Sequence, residues 1–122
     1  MKKAEMVVRI LLGLMMVVFG LNKFLGFIPL EPANMEAGVT MKALMGMGVL
    51  TVSGIIEVIG GILLLINKQT GVALFFLAPI AFCAFLFHLM LDPAGIGGSI
   101  FFLLATAFLI FGRKEKFMAL MD

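Results

Sequence analysis

The sequence predicts an all-α membrane protein, a polytopic antiparallel bundle of four transmembrane helices that forms one domain, residues 1–122. Hydrophobic residues make up 63% of the chain and charged residues 13%, whereas charged residues are roughly a quarter of a typical soluble domain. A spanning helix needs about 20 mainly apolar residues, and four runs approach that length. These runs lie at residues 6–28, 47–66, 71–91 and 96–112.

The first run is predicted to be a retained transmembrane helix. It follows Lys2 and Lys3, as the apolar part of a signal peptide would, but it is long for that role. Pro29 and Pro32 interrupt it, because proline lacks a backbone N–H and restricts the residue before it. We expect this helix to end near Phe27.

Short connections define the remaining elements. Glu36 and Lys42, mixed with Met and Leu at residues 34–45, predict an amphipathic segment on the outer membrane surface between helices 1 and 2. The connection at 67–70 is short enough to place helices 2 and 3 side by side. Pro93 marks the end of helix 3, and a basic cluster ends helix 4.

The positions of Lys and Arg predict the orientation. With four spans both termini lie on the same side, and the side richer in Lys and Arg faces the cytoplasm. That side carries Lys2, Lys3, Arg9, Lys68, Arg113, Lys114 and Lys116, against Lys23 and Lys42 on the other.

Each predicted span has small residues on one face, spaced three or four positions apart. Small residues let helices approach closely where lipid provides no hydrophobic drive for association, so we expect these faces to meet and the glycines to serve packing rather than a cofactor. The predicted packing residues are Gly13, Gly20, Gly54, Gly60, Gly61, Gly98 and Ala105.

The same faces carry charged groups, which cost roughly 2.5–3.5 kcal/mol each at the centre of a membrane helix. Glu57 lies near the middle of the second span, so it must pair with a cation or become protonated. Arg9 and Lys23 lie at opposite ends of helix 1, and depth does not choose between them as its partner. Either could instead extend to the lipid headgroups.

A polar pocket open to the outer side is predicted at the end of helix 3. His88 and Asp92 lie one turn apart there, at a depth that matches Asn22 and Lys23. The alternative for His88 is a hydrogen-bonded structural role. The predicted ligand-binding or polar interior residues are Glu57, His88, Lys23, Asn22, Arg9 and Asp92.

The chain lacks the residues that several kinds of metal, disulfide and cofactor site require. One His and one Cys, Cys83, supply neither paired haem ligands, nor a two-His metal site, nor an internal disulfide. The sequence has no Cys-x-x-Cys, phosphate loop or dinucleotide motif. We expect no metal, no cofactor within the chain other than a quinone or lipid, and no nucleic-acid partner; catalytic residues and enzymatic activity stay open.

Several motifs resemble those of the DoxX family of small bacterial four-helix membrane proteins, over almost the whole chain. They are Arg9-x-x-x-Gly13, the run Phe-Gly-Leu-Asn-Lys-Phe at 19–24, Glu57-x-x-Gly60-Gly61 and the late His88. The resemblance places the family's Arg, Gly-x-x-Lys and Glu-x-x-Gly-Gly positions on Arg9, Gly20, Lys23, Glu57, Gly60 and Gly61. It departs at 66–71, where the family's Leu-Gly turn and Arg are replaced and Lys68 stands instead.

The family takes its name from quinol oxidase and thiosulfate–quinone oxidoreductase complexes, which implies a place near quinones in the bacterial inner membrane.

Three functions fit. The first is an accessory subunit of a membrane redox complex that binds a small lipophile, such as a quinone, through Glu57 and His88 in a cavity lined by Phe and Met; an enzymatic version adds proton transfer. The second is a proton relay or small-solute transporter, which would need a homo-oligomer. The third is a purely structural assembly subunit whose polar stripe fixes helix register.

Overall fold

The computed structural model describes residues 2–25, 34–91, 93 and 96–119, and those residues contain no strand. The prediction of an all-α protein is confirmed. The expected end of the first helix near Phe27, with Pro29 and Pro32, lies outside the described residues. The described residues form six α-helices: α1 (Lys2–Leu25), α2 (Met35–Gly46), α3 (Val49–Ile66), α4 (Thr70–Met90), α5 (Ile96–Gly112) and α6 (Lys114–Ala119).

The outer surface of the helices is apolar, as expected of a membrane protein. By length and composition α1, α3 and α4 are able to cross a membrane, and α5, with 17 residues, is a shorter apolar helix. Continuous apolar faces of this size would drive aggregation in water, so the chain is a multi-pass membrane protein. The exposed residues include Val7, Leu11, Leu14, Val18, Leu21 and Leu25 on α1, and Val52, Ile55, Ile59, Ile62 and Ile66 on α3.

Four of the helices pack in a ring. α3 contacts α1 and α4, and α5 contacts α4 and α1. Large aliphatic side chains, one Phe and a few Ala fill the space between them, which places the core on the ring axis. The core consists of Leu12, Met16, Leu64, Ala73, Leu74, Leu77, Ala81, Phe102, Ala105 and Leu109.

Two turns set the limits of α3. Gly48, before its first residue, has φ of 81°, a conformation that only glycine adopts easily, so α3 begins at Val49 instead of the predicted 47. At its other end Asn67 has φ of 57°, and the next N–H, that of Lys68, donates to the Leu63 carbonyl at 3.1 Å. Asparagine tolerates this left-handed conformation, so it ends the helix where a family Leu-Gly turn was expected.

The predicted segment between the first two spans forms α2. Asn34 caps it, since its side chain accepts a bond from the Ala37 N–H at 2.8 Å and satisfies a free donor. Its apolar residues do not share one face: Val39 and Lys42, three positions apart, are both exposed. The expectation of an amphipathic helix is therefore wrong. Asn34 also donates to the Leu91 carbonyl at 2.6 Å, which joins α2 to the end of α4.

Glycine permits the closest helix contact, between α1 and α3. A Cβ built on Gly61 would lie 2.7 Å from the Gly13 carbonyl oxygen, and one on Gly13 would lie 2.9 Å from that of Gly61. Further along, a Cβ on Gly20 would lie 2.7 Å from Val58 Cγ2 and 3.0 Å from the Gly54 oxygen. Successive contacts therefore move towards the start of α3 as they move towards the end of α1, and the two backbones touch.

Gly60 and Ala105 face other neighbours, and no described residue lies against Gly98. A Cβ on Gly60 would lie 3.2 Å from Leu77 of α4, and Ala105 is buried in the core. Gly98 is exposed in the first turn of α5, and a Cβ there would meet nothing within 4 Å. No described helix reaches that turn, so the packing role of Gly98 stays a prediction. The buried face of α5 carries Ser99, Phe102, Ala105, Thr106 and Leu109.

Adding one methyl group should separate these two classes of glycine. We expect Gly61→Ala to destabilise the protein by about 1–3 kcal/mol, because the added carbon has to displace backbone. The matched control, Gly98→Ala, adds the same atom in open space and should lose no stability. Thermal unfolding in one detergent measures both, and equal melting temperatures would contradict the close contact.

Candidate functional site

An ion pair joins α1 to α3. The Lys23 ammonium donates to Glu57 Oε1 at 3.0 Å and lies 2.7 Å from Oε2. The Glu57 side chain is 4% exposed and that of Lys23 is 25% exposed. The carboxylate is therefore enclosed, while the ammonium remains partly accessible. Of the two cations left open by the sequence, Lys23 is the one that reaches Glu57.

The glycine contact explains how Lys23 comes within reach. A Cβ built on Gly54 would lie 3.3 Å from Lys23 Cβ and 3.0 Å from the ring of Phe24, so the α1 backbone lies directly against α3. Glu57 is three residues beyond Gly54, close to one helical turn. The lysine chain spans this short distance inward instead of extending to the headgroups.

Burial makes the pair mutually dependent. Glu57 lies midway along α3 and the whole residue is 3% exposed. An isolated carboxylate at such a position is strongly disfavoured, and an isolated ammonium less so because Lys23 is partly accessible. Removing one partner of a buried pair is therefore more damaging than replacing both by apolar groups.

Arg9 occupies a different place. It is 8% exposed, and its Nη1 donates to the carbonyl oxygens of Leu64 and, at 3.5 Å, Leu65. The last carbonyls of a helix lack partners within it and form the negative end of its dipole. Arg9 therefore caps α3, and it neither pairs with Glu57 nor extends to the headgroups.

A second polar network, near Arg9, was not predicted from the sequence. Arg113 Nη2 donates to Glu5 Oε1 at 2.8 Å and to Asn67 Oδ1 at 3.2 Å, and the Thr70 hydroxyl donates to the same Asn67 oxygen at 3.2 Å. This network joins α1, the turn after α3, α4 and the end of α5. Its one signal in the sequence is Glu5 four residues before Arg9, a spacing that places both on one helix face.

Two of the remaining predicted polar residues lie on α1 and α4. Asn22 precedes Lys23 and is 8% exposed. His88 is half-buried in the last turn of α4, with its ring edge-on to Phe87 at 5.3 Å between centroids. Asp92 lies outside the described residues.

A shallow groove of about 320 Å³ opens beside the first turns of α3. Ser53 has the only polar side chain on its described lining and precedes Glu57 by one turn. The lining is mainly aliphatic and comprises Met47, Gly48, Val49, Val52, Ser53, Ile56 and Ile80. It includes neither Glu57 nor His88, so the cavity lined by Phe and Met around those two residues stays a prediction.

Other reactive groups are sparse. Cys83 is exposed with a free thiol. Within the described ranges no three His, Cys, Asp or Glu side chains are grouped so as to hold a metal ion.

Comparison with known proteins identifies a family. The model of the family described as DoxX matches residues 4–90, which contain Lys23, Glu57, Arg9 and the glycine contacts. No curated protein and no solved structure matches the chain.

The mutual dependence of Lys23 and Glu57 predicts a non-additive double-mutant cycle. We expect Glu57→Leu to destabilise the protein by about 3 kcal/mol, because it strands the ammonium and removes its acceptor. Lys23→Met combined with Glu57→Leu should recover at least about 1 kcal/mol of that loss. Unfolding in detergent measures the cycle, and additive losses would contradict coupling between the two side chains.

Proposed function

Because the chain belongs to the DoxX family, and the matched residues hold the buried ion pair, we propose that it is an accessory membrane protein that binds a small lipophilic molecule of the quinone type. The observation that carries this proposal is the unequal burial of the pair. A carboxylate that is 4% exposed holds an ammonium that is 25% exposed. Lys23 is thereby presented to a ligand, and Glu57 positions it.

The chemistry of the pair favours a neutral ligand with a hydrogen-bond acceptor. An ammonium has three N–H donors, and the two Glu57 oxygens engage at most two of them. The third donor suits a carbonyl oxygen such as that of a quinone. The pair has no net charge, so an anionic ligand gains little from it, while an apolar body suits the aliphatic groove beside Ser53.

We propose that α1, α3, α4 and α5 cross the bacterial inner membrane as four antiparallel spans. At 17 residues α5 is about 26 Å long, close to the roughly 30 Å hydrocarbon core. Basic residues near the Arg113 network support cytoplasmic termini. They include Lys3, Arg9, Lys68 and Lys114.

A redox complex is the proposed partner. Support comes from the implied family association with quinone-linked complexes, and from the scarcity of resident redox groups among the described residues. In this arrangement the chain would hold or deliver the lipophile, and a partner enzyme would carry out electron transfer.

A structural role is the second candidate. The ion pair lies inside the closest helix contact of the bundle, beside Gly54. A pair in that position fixes the register of α1 on α3 even without a ligand, as buried polar residues do in some helical assemblies.

Ligand binding separates the two candidates. We expect Lys23→Met to weaken binding of a short-chain benzoquinone by about tenfold or more, because a hydrogen bond from a charged donor contributes roughly 1.5–3 kcal/mol. Glu57→Gln should also weaken binding, since it leaves Lys23 poorly oriented. Because the chain contains no Trp, its own fluorescence is weak, and binding of a fluorescently labelled quinone can be measured by quenching of the label. Native mass spectrometry checks the stoichiometry.

The matched control is Lys42→Met, which removes an exposed lysine from α2. It should bind like the wild type. Equal affinity in all four proteins would contradict a ligand role for the pair and leave the structural candidate.

The orientation predicts a pattern of chemical labelling. In a Cys83→Ala background, a membrane-impermeant thiol reagent added to intact cells should label Lys42→Cys and leave Lys68→Cys unlabelled until the cells are lysed. Both positions are exposed, so reactivity reports sidedness. The reverse pattern would contradict the proposed orientation.

A further inference from the structure

Positive charge exceeds negative charge in the cluster around the last turn of α3. Arg9 and Arg113 both contact this region, at Leu64 and Asn67 respectively. Glu5 is the carboxylate bound to Arg113, and the acceptors of Arg9 among the described residues are backbone carbonyls. A helix C-terminus supplies about half a negative charge, so the two guanidinium groups are not fully neutralised by the described residues.

Hydrogen bonding is incomplete in the same cluster. The Nε atoms of Arg9 and Arg113 are buried and have no partner among the described residues. Arg113 donates both its bond to Glu5 and its bond to Asn67 from Nη2, so Nη1 takes part in neither. Charged groups inside a membrane protein pair with opposite charges or with backbone carbonyls, and a bound anion would supply a further partner for these guanidinium groups.

The cluster is accessible at its outer edge. The Arg113 side chain is 17% exposed. Three exposed lysines are close to network members in sequence, and each adds attraction for an anion near the surface. They are Lys3 near Glu5, Lys68 next to Asn67, and Lys114 next to Arg113.

We propose that this cluster binds the phosphate of an anionic phospholipid, with Arg113 as the principal contact and Lys68 and Lys114 beside it. Guanidinium groups suit phosphate because their planar array of donors matches its oxygens. The cluster lies where apolar helices end, so the acyl chains of the same lipid would lie along exposed residues of α1 such as Val7 and Leu11. That continuity favours a lipid over a soluble phosphate. The site is separate from the Lys23–Glu57 pair and does not depend on the quinone proposal.

Thermal unfolding of the full chain in an uncharged detergent tests this site. The probes are phosphatidylglycerol, phosphatidylcholine of the same acyl chains, and soluble glycerol phosphate. Phosphatidylglycerol at about 100 times its Kd should raise the melting temperature by on the order of 5–10 °C. Phosphatidylcholine should give less than half this shift, and glycerol phosphate should give none.

Arg113→Gln should lose most of the shift, and the control Lys42→Gln, on exposed α2, should retain it. Native mass spectrometry should find one phosphatidylglycerol retained by the wild type and lost from Arg113→Gln. If Arg113→Gln does not fold, the double variant Lys68→Gln with Lys114→Gln tests the same site, and an unchanged shift in it overturns the proposal. Equal shifts with both lipids, or an equal shift with glycerol phosphate, would also overturn it.

Discussion

A carboxylate midway along a membrane helix needs a counter-charge, and the packing of α1 on α3 meets that requirement. Glu57 receives its cation from a lysine near the end of the neighbouring helix. Lys23 has only a short distance to span, because Gly20 and Gly54 bring the two backbones together next to the ion pair. A larger residue at either glycine would move the helices apart and lengthen the ion pair. The glycine contact and the pair therefore depend on each other.

The two ends of α1 neutralise positive charge in different ways. Lys23 has a compact ammonium that meets a single carboxylate, whereas Arg9 has a planar group with several donors that meets successive backbone carbonyls. Arginine is suited to the second task because its Nη1 alone carries two N–H donors, which serve both carbonyls. Helix α3 is thus held to α1 by a side chain at its middle and by the carbonyls of its last turn. Both contacts restrict sliding of one helix along the other.

Local spacing in the sequence was sufficient to predict the helices and the interior face of α1, because steps of three and four identify a face directly. It could not choose the partner of Glu57, since the choice depends on which glycines of α1 and α3 meet. It could not predict the Arg113 to Glu5 bond, whose residues are 108 positions apart. Spacing likewise identifies the helix face on which Gly98 lies, but not whether a neighbouring helix extends far enough to cover it.

The distribution of polar groups bears on the choice between a one-sided binding site and a path through the bundle. Arg9 and Lys23 are separated by about 21 Å along α1, and Leu12 and Met16 between them are buried in the apolar core. At the far side of that core the buried Thr106 hydroxyl donates to the carbonyl of Phe102 in its own helix. A proton relay needs polar groups in sequence, and the described core does not provide such a series within one chain. This apolar layer favours the proposed ligand site at the Lys23 end over a path through the bundle, and it separates that site from the lipid site proposed at the Arg9 and Arg113 cluster.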